Sequence, residues 1–332
     1  MATLGTNKYD FTDVARRLDP DGKIALVAEM MEEINLIIPD VPWIEGNLPT
    51  GTRLTRRTSL PSVGFRRINS GVDQSKSTTE QVDDVCGMLE AYADVDKKLA
   101  DLNGNTNQFR LSESVAYLEA MNQKYVDTLI YGNVTTTPEA FQGFFTRDYY
   151  SDTGSEYFID AGGTGSDNTS ILLVGWSPNK IYGIYPKASK AGLSTEDKGQ
   201  VTLYDSSNRP YEGYRMHYVW ECGLAVKDYR YAVRIGNIDV SALKTYGAST
   251  GDESPDITGM LIEAYNLIPH IDMCQPRIYC NKTVKTELDK MANDTGNRNV
   301  SVNVMDGKPV TNFWGIPVKK VDAILDNEEV VS

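Results

Sequence analysis

The sequence predicts an α+β fold, and three observations carry that prediction. A stretch over about residues 108–131 contains no glycine or proline and is flanked by Gly104 and Gly132. The block from Ser170 to Val240 is dense in tyrosine and β-branched residues, which suit a pleated, half-buried surface. After residue 250, strand-like and helix-like runs alternate.

Residues 1–20 read as a polar arm. Asp19-Pro20 opens a helix, because proline is tolerated in a first turn. Ile24, Val27, Met31, Ile34 and Ile38 recur every three or four residues, which gives that helix one apolar face, and Pro39 and Pro42 end it. Residues 50–79 are rich in Thr, Ser, Gly and Arg and cannot build a core alone. Alternation around Arg53-Leu54-Thr55 and Val63-Gly64-Phe65 predicts an extended hairpin turning near Leu60-Pro61-Ser62. The helix over 108–131 is expected to bury a stripe of Val115, Leu118, Tyr125 and Leu129 and to span about 35 Å at 1.5 Å per residue. Strands are expected at 170–176, 180–186, 200–205, 214–226 and 229–235. A helix follows from Ser254-Pro255 to about Leu267. Then come a strand at 276–280, a helix at 281–294 with Gly296 just past its end, a strand at 300–304 and the run 313–324. The domain plan is 1–49, arm and helix; 50–79, hairpin; 80–245, long helix and strands; 246–332, the alternating C-terminal part.

Several function classes fall away. The chain has 332 residues, of which 40% are apolar and 24% charged, so a packed core is expected and wholesale disorder is not. No apolar run approaches the roughly 20 residues of a membrane span. Met1–Asp10 lacks a basic stretch followed by an apolar one, so no signal peptide is read and a cytoplasmic origin is expected. A net charge of −13 repels phosphate backbones, whose binders carry a basic footprint, and this argues against a DNA-binding protein. Cys86, Cys222, Cys274 and Cys280 form no C-x-x-C pair and read as small core residues. Cys274, Cys280 and His270 fit no zinc spacing. The acids at Asp94, Asp96 and Asp101 do not fit a twelve-residue calcium loop. The two histidines, His217 and His270, read as structural. The glycine-rich stretch 160–167 leads into a strand, so no helix N-terminus faces a phosphate. No catalytic motif, cofactor or metal is expected, and the chain reads as a non-enzyme.

What remains is a charge asymmetry. Arg53, Arg56, Arg57, Arg66 and Arg67 lie between Thr50 and Gly71 with no acid among them. The following segment carries Asp83, Asp84, Glu90 and Asp94. Arginine's planar fork binds carboxylates bidentately, so docking of this hairpin on an acidic protein surface is preferred over a solvated loop or a nucleic-acid contact.

The order of these parts resembles the tailed-bacteriophage major capsid protein family, of the Hong Kong 97-like fold and short-tailed phage type. The resemblance rests on a short arm, an extended hairpin, an acidic segment and a long helix ending Leu129-Ile-Tyr-Gly-Asn133. It continues through Pro138-Glu-Ala-Phe-Gln-Gly-Phe144, the blocks 175–192 and 223–238, and Asn312-Phe-Trp-Gly-Ile-Pro-Val318. It implies that 50–79 is an E-loop, that 80–245 is a peripheral (P) domain with the long helix as its spine, and that 246–332 is an axial (A) domain. The late position of Gly315-Ile-Pro-Val318 implies a permuted connectivity; otherwise the 170–245 block belongs to the A-domain. The implied function is self-assembly into hexamers and pentamers of an icosahedral virion shell that encloses double-stranded DNA without sequence-specific binding. The implied partners are other copies of the chain, a separate scaffolding protein and a portal protein, with room for a decoration protein and no membrane. An encapsulin-like compartment and a tail or adhesin component are the alternatives. The five arginines are expected over an adjacent subunit near Asp83, Asp84, Glu90 and Asp94. Charge reversal at Arg56 and Arg57 is expected to block particle formation while leaving the subunit folded.

Overall fold

The run Asn168–Trp176 ends in the apolar stretch Ile171–Trp176, and all nine of its residues are buried. A strand of that kind belongs in the middle of a sheet covered on both faces. The computed structural model, which describes residues 33, 35–101, 106–243, 255–293, 299–305 and 308–331, places it there. The strands are β1 (Trp43–Glu45), β2 (Gly51–Ser59), β3 (Thr78–Asp96), β4 (Phe158–Asp160), β5 (Asn168–Trp176), β6 (Ile181–Tyr185), β7 (Ser194–Tyr204), β8 (Pro210–Val226), β9 (Ala232–Asp239), β10 (Gln275–Cys280), β11 (Val300–Met305), β12 (Lys308–Phe313) and β13 (Ile316–Lys320). One sheet has the order β11-β12-β13-β10-β5-β9-β4; the other runs β1-β6-β8-β3-β2, with β7 paired to β8. The longer helices are α1 (Thr106–Tyr131), α2 (Ile257–Leu267) and α3 (Lys282–Asn293).

The chain divides into two compact units. Among the described residues, one comprises Met88–Tyr125 and Gly192–Glu221 with Glu33; the other comprises residues 35–87, Val126–Ala191 and the chain from Cys222 on. In the first, Phe109 of α1 packs with Val95, Leu99 and Ala100 and against Tyr214. Tyr117 stacks on Tyr218 at 6.0 Å, and Tyr125 meets Trp220 at 4.5 Å. Aromatic pairs at such separations add to the apolar burial. In the second unit, β5 pairs antiparallel with both β9 and β10, and β10 pairs parallel with β13. Two sheets, of six and seven strands, beside helices of 26, 11 and 12 residues bear out the α+β class.

Four expectations need correcting. The boundary at 245/246 is not a boundary of the fold, because β10 to β13 complete the sheet that β4, β5 and β9 begin. A sheet edge left unpaired at β5 would expose its backbone donors and acceptors. The 170–245 block is therefore shared between two sheets. Second, Val115 and Leu118 are exposed, on the same side of α1 as Leu111, while Phe109, Met121, Tyr125, Val126, Leu129 and Ile130 are buried. Third, Asp256 caps α2, its carboxylate accepting the Gly259 N–H at 2.9 Å, where Ser254 was expected. Fourth, the hairpin does not turn at residues 60–62; Ser70 N–H donates to the Arg67 carbonyl at 3.2 Å and Asn69 takes φ 64°. Asparagine tolerates that left-handed geometry better than most residues. The expected helix from Pro20, Ser254 itself and Gly296 lie outside the described residues.

Candidate interface at the basic hairpin

Strands β2 and β3 pair antiparallel from Gly51↔Val85 to Ser59↔Thr78, with a bulge between Arg57 and Ser59. Hydroxyls close the ladder: Thr58 and Ser59 both bond to Thr78, at 2.8 and 2.7 Å. Beyond it, residues 60–77 run without strand pairing, crossed by one bond from the Ser75 hydroxyl to the Ser62 carbonyl at 2.9 Å. This tip holds Leu60, Val63, Phe65 and Ile68. The last three are more than nine-tenths exposed.

The five arginines separate into two groups. Arg53 lies opposite Asp83 in the ladder and grips its carboxylate with Nε and Nη2 at 2.6 and 2.7 Å. That hydrogen bonding raises the Arg53 pKa and holds the Asp83 carboxyl below its ordinary value. Arg56 is anchored at the root. Its Nε donates to the Lys227 carbonyl at 3.1 Å, Nη2 donates to the Val226 carbonyl, and Nη1 reaches the Tyr149 hydroxyl at 3.3 Å. Its guanidinium also lies 5.8 and 5.9 Å from the stacked Tyr149 and Tyr229 rings, a cation–π distance. Arg57, Arg66 and Arg67 are exposed and meet no acid among the described residues.

The four acids are engaged within the chain. Asp84 is buried, so it is no part of a surface: Arg147 Nη1 donates to it at 2.9 Å and the Val226 N–H at 3.1 Å. Arg147 is itself buried and also donates to the Leu224 carbonyl at 2.9 Å. In the other unit, Glu90 accepts from Tyr92 at 2.7 Å and meets His217. The Tyr92 bond, then the His217 bond, lowers its pKa. His217 stacks on Tyr92 at 4.3 Å. Asp94 is held bidentately by Arg215, both contacts at 2.7 Å. Sequence reasoning missed Arg147, Arg215 and His217 as partners, since nothing in the spacing links positions so far apart. The period-two alternation of β8, with Arg215 and His217 two residues apart, was the one local sign that they share a face.

Where α1 ends, Gly132 leaves no room for a side chain, because a Cβ there would strike the Phe141 and Thr128 carbonyl oxygens. The following Pro138–Phe144 segment packs Phe141 and Phe144 into the core.

The family model described as Major capsid protein GP7 matches residues 19–332. Among solved structures, the chain is similar to a protein of bacteriophage epsilon15 with 32% identity and a TM-score of 0.79, over 100% of this chain and 99% of that one. It is also similar in fold to the capsid of bacteriophage JBD30, with 11% identity and a TM-score of 0.51, over 89% of this chain and 92% of that one. No curated protein matches the chain.

Proposed function

This chain belongs to the major capsid protein GP7 family, and on that premise we propose that its copies close the shell by seating the tip of the 50–79 hairpin on a neighbour. The chain is a phage major capsid protein, a structural protein of the virion. Copies associate as hexamers and pentamers of an icosahedral shell around double-stranded DNA, through heterologous contacts that return on themselves.

One observation carries the reading: Val63, Phe65 and Ile68 stand almost fully in water at the end of an arm whose root is fastened. Burying a large apolar side chain is worth about 1.5–3 kcal/mol. An exposed ion pair is worth about 0–1 kcal/mol. The apolar tip therefore supplies most of the docking energy, while Arg57, Arg66 and Arg67 set orientation and partner choice. Repetition around the shell multiplies a modest contact, and modest contacts let misplaced subunits leave before closure. Arg53 and Arg56 serve the hairpin itself, and the receiving surface is formed by groups other than Asp83, Asp84, Glu90 and Asp94, which are already occupied.

Assembly with a separate scaffolding protein, attachment to a portal protein at one vertex and an external decoration protein complete the scheme, with subunits made in the host cytoplasm. The test is electron microscopy of the purified protein with its scaffold, for wild type and for Phe65→Ser with Ile68→Ser. Wild-type shells and a soluble, folded, non-assembling variant are expected. Normal particles from the variant would overturn the docking role of the tip, and absence of any shell from wild type would overturn the assembly reading.

A further inference from the structure

At the root of the hairpin a cleft of about 480 Å³ opens between β2 and the turns that precede β6 and follow β8. Arg56, Arg57, Lys180, Lys227 and Arg230 line it, against a single acid, Asp228. That acid is already committed. Lys180 reaches it at 3.2 Å, and Arg230 holds it through Nε and Nη2 at 2.9 and 3.0 Å. Arg56 spends its donors on backbone carbonyls and a tyrosine hydroxyl, so its charge has no carboxylate beside it. Arg57 and Lys227 are exposed and meet no acid among the described residues. The cleft is thus strongly cationic on a chain whose net charge is −13.

We propose that this cleft receives a carboxylate-bearing segment from a second copy of the chain. The inference deepens the assembly reading and rests on it. Two arguments select that occupant. The cleft is continuous with the arm that reaches toward a neighbour, so a neighbouring copy is the surface brought against it. Copies of this chain are also rich in acids, with 46 Asp and Glu against 33 Lys and Arg, and guanidinium groups favour carboxylates in paired geometry. Packaged DNA is the competing source of negative charge. The acidic body disfavours its approach, since phosphate binding draws on a basic footprint.

The test uses shells assembled from an equal mixture of ¹⁴N- and ¹⁵N-labelled subunits, treated with a zero-length carbodiimide and mapped by mass spectrometry. Mixed-isotope crosslinks from Lys227 or Lys180 to an Asp or Glu are expected, and they are expected to be missing from unassembled subunits. Lysine acetylation supplies a second reading, with loss of Lys227 reactivity expected on assembly in shells that contain no DNA. Shells in which both lysines link only within their own chain, and in which Lys227 stays reactive, would overturn the inference while leaving the assembly reading intact. Protection that appears only in DNA-filled shells would reassign the cleft to nucleic acid and equally overturn it. If wild-type subunits build no shell, both readings fall together.

Discussion

The root and the tip of one hairpin obey opposite rules. At the root, most charged groups are answered by the same chain, Arg53 by Asp83, Arg56 by the Val226 and Lys227 carbonyls and Asp84 by Arg147, and the exposed Arg57 and Lys227 at the cleft are the exceptions among the described residues. At the tip, Val63, Phe65 and Ile68 stand in water, unburied by the described residues of their own unit. A group satisfied within its chain has little to gain from a neighbour, since its bonds would be exchanged at no net benefit. An apolar side chain left in water gains the whole of its burial. The root therefore makes the arm a fixed lever and the tip makes it adhesive.

The largest effect that would break this contrast lies at the tip. Phe65→Ser with Ile68→Ser should abolish particles in sedimentation and microscopy, while the unfolding free energy of the unassembled subunit, from denaturant titration, stays within about 0.5 kcal/mol of wild type, as for surface changes generally. A fall in subunit stability would mean that the tip packs on its own body.

Asp84→Ala should do the reverse. It leaves the Arg147 guanidinium buried and uncompensated, and breaking one side of a buried ion pair costs about 3–5 kcal/mol. Denaturant unfolding of the isolated subunit measures it, and a loss below about 1 kcal/mol would show that Arg147 finds water or another acceptor instead.

How much of this was legible in the sequence follows the same division. The lack of glycine and proline located α1, and the density of tyrosine and β-branched residues located β5 and β8, while the stripe read on α1 was partly wrong because Val115 and Leu118 face water. The hairpin was legible from its composition, since a stretch so poor in large apolar groups has no core of its own. Its five arginines were read as one group because they are adjacent in sequence. Their division depends on Val226 and Lys227 at the end of β8, which sheet order places two strands from β2, and on Tyr149 from the segment after α1, all far from Arg56 in the chain. The domain boundary failed for a similar reason. Nothing local in Gln275–Cys280 says that its partners are β5 and β13, which lie on opposite sides of it in the chain. The apolar tip was visible as residues, Val63 and Phe65, yet it was read as strand alternation, and exposure is not a property of the sequence.

A smaller effect sharpens the contrast at the cleft. Burial pushes the Asp228 carboxyl up, but hydrogen bonds and charge from Arg230 and Lys180 outweigh it, and its pKa falls below the ordinary 3.8. A carboxyl lowered in the folded state stabilises the fold at pH above its unfolded value, and that contribution is lost as pH falls through the folded value. Subunit stability should therefore drop as pH is taken below about 3.8, and Asp228→Asn should make that acid slope shallower. An unchanged slope would mean that the Lys180 and Arg230 contacts do not persist in solution.

The smallest effect is expected at Arg53, and it separates the two groups of arginines most cleanly. The Arg53 and Asp83 side chains are each about half exposed, so solvent screens their attraction. Threonine at position 53 also suits a strand. Arg53→Thr should leave subunit unfolding and particle yield unchanged. Arg66→Glu with Arg67→Glu should leave unfolding unchanged but lower particle yield, with the deficit growing at low salt, where repulsion between like charges reaches furthest. The paired experiment matters because all five arginines carry the same charge. If Arg53→Thr lowered yield as much as the tip reversal, charge alone would govern docking, and the distinction between a self-satisfied root and an unsatisfied tip would fail.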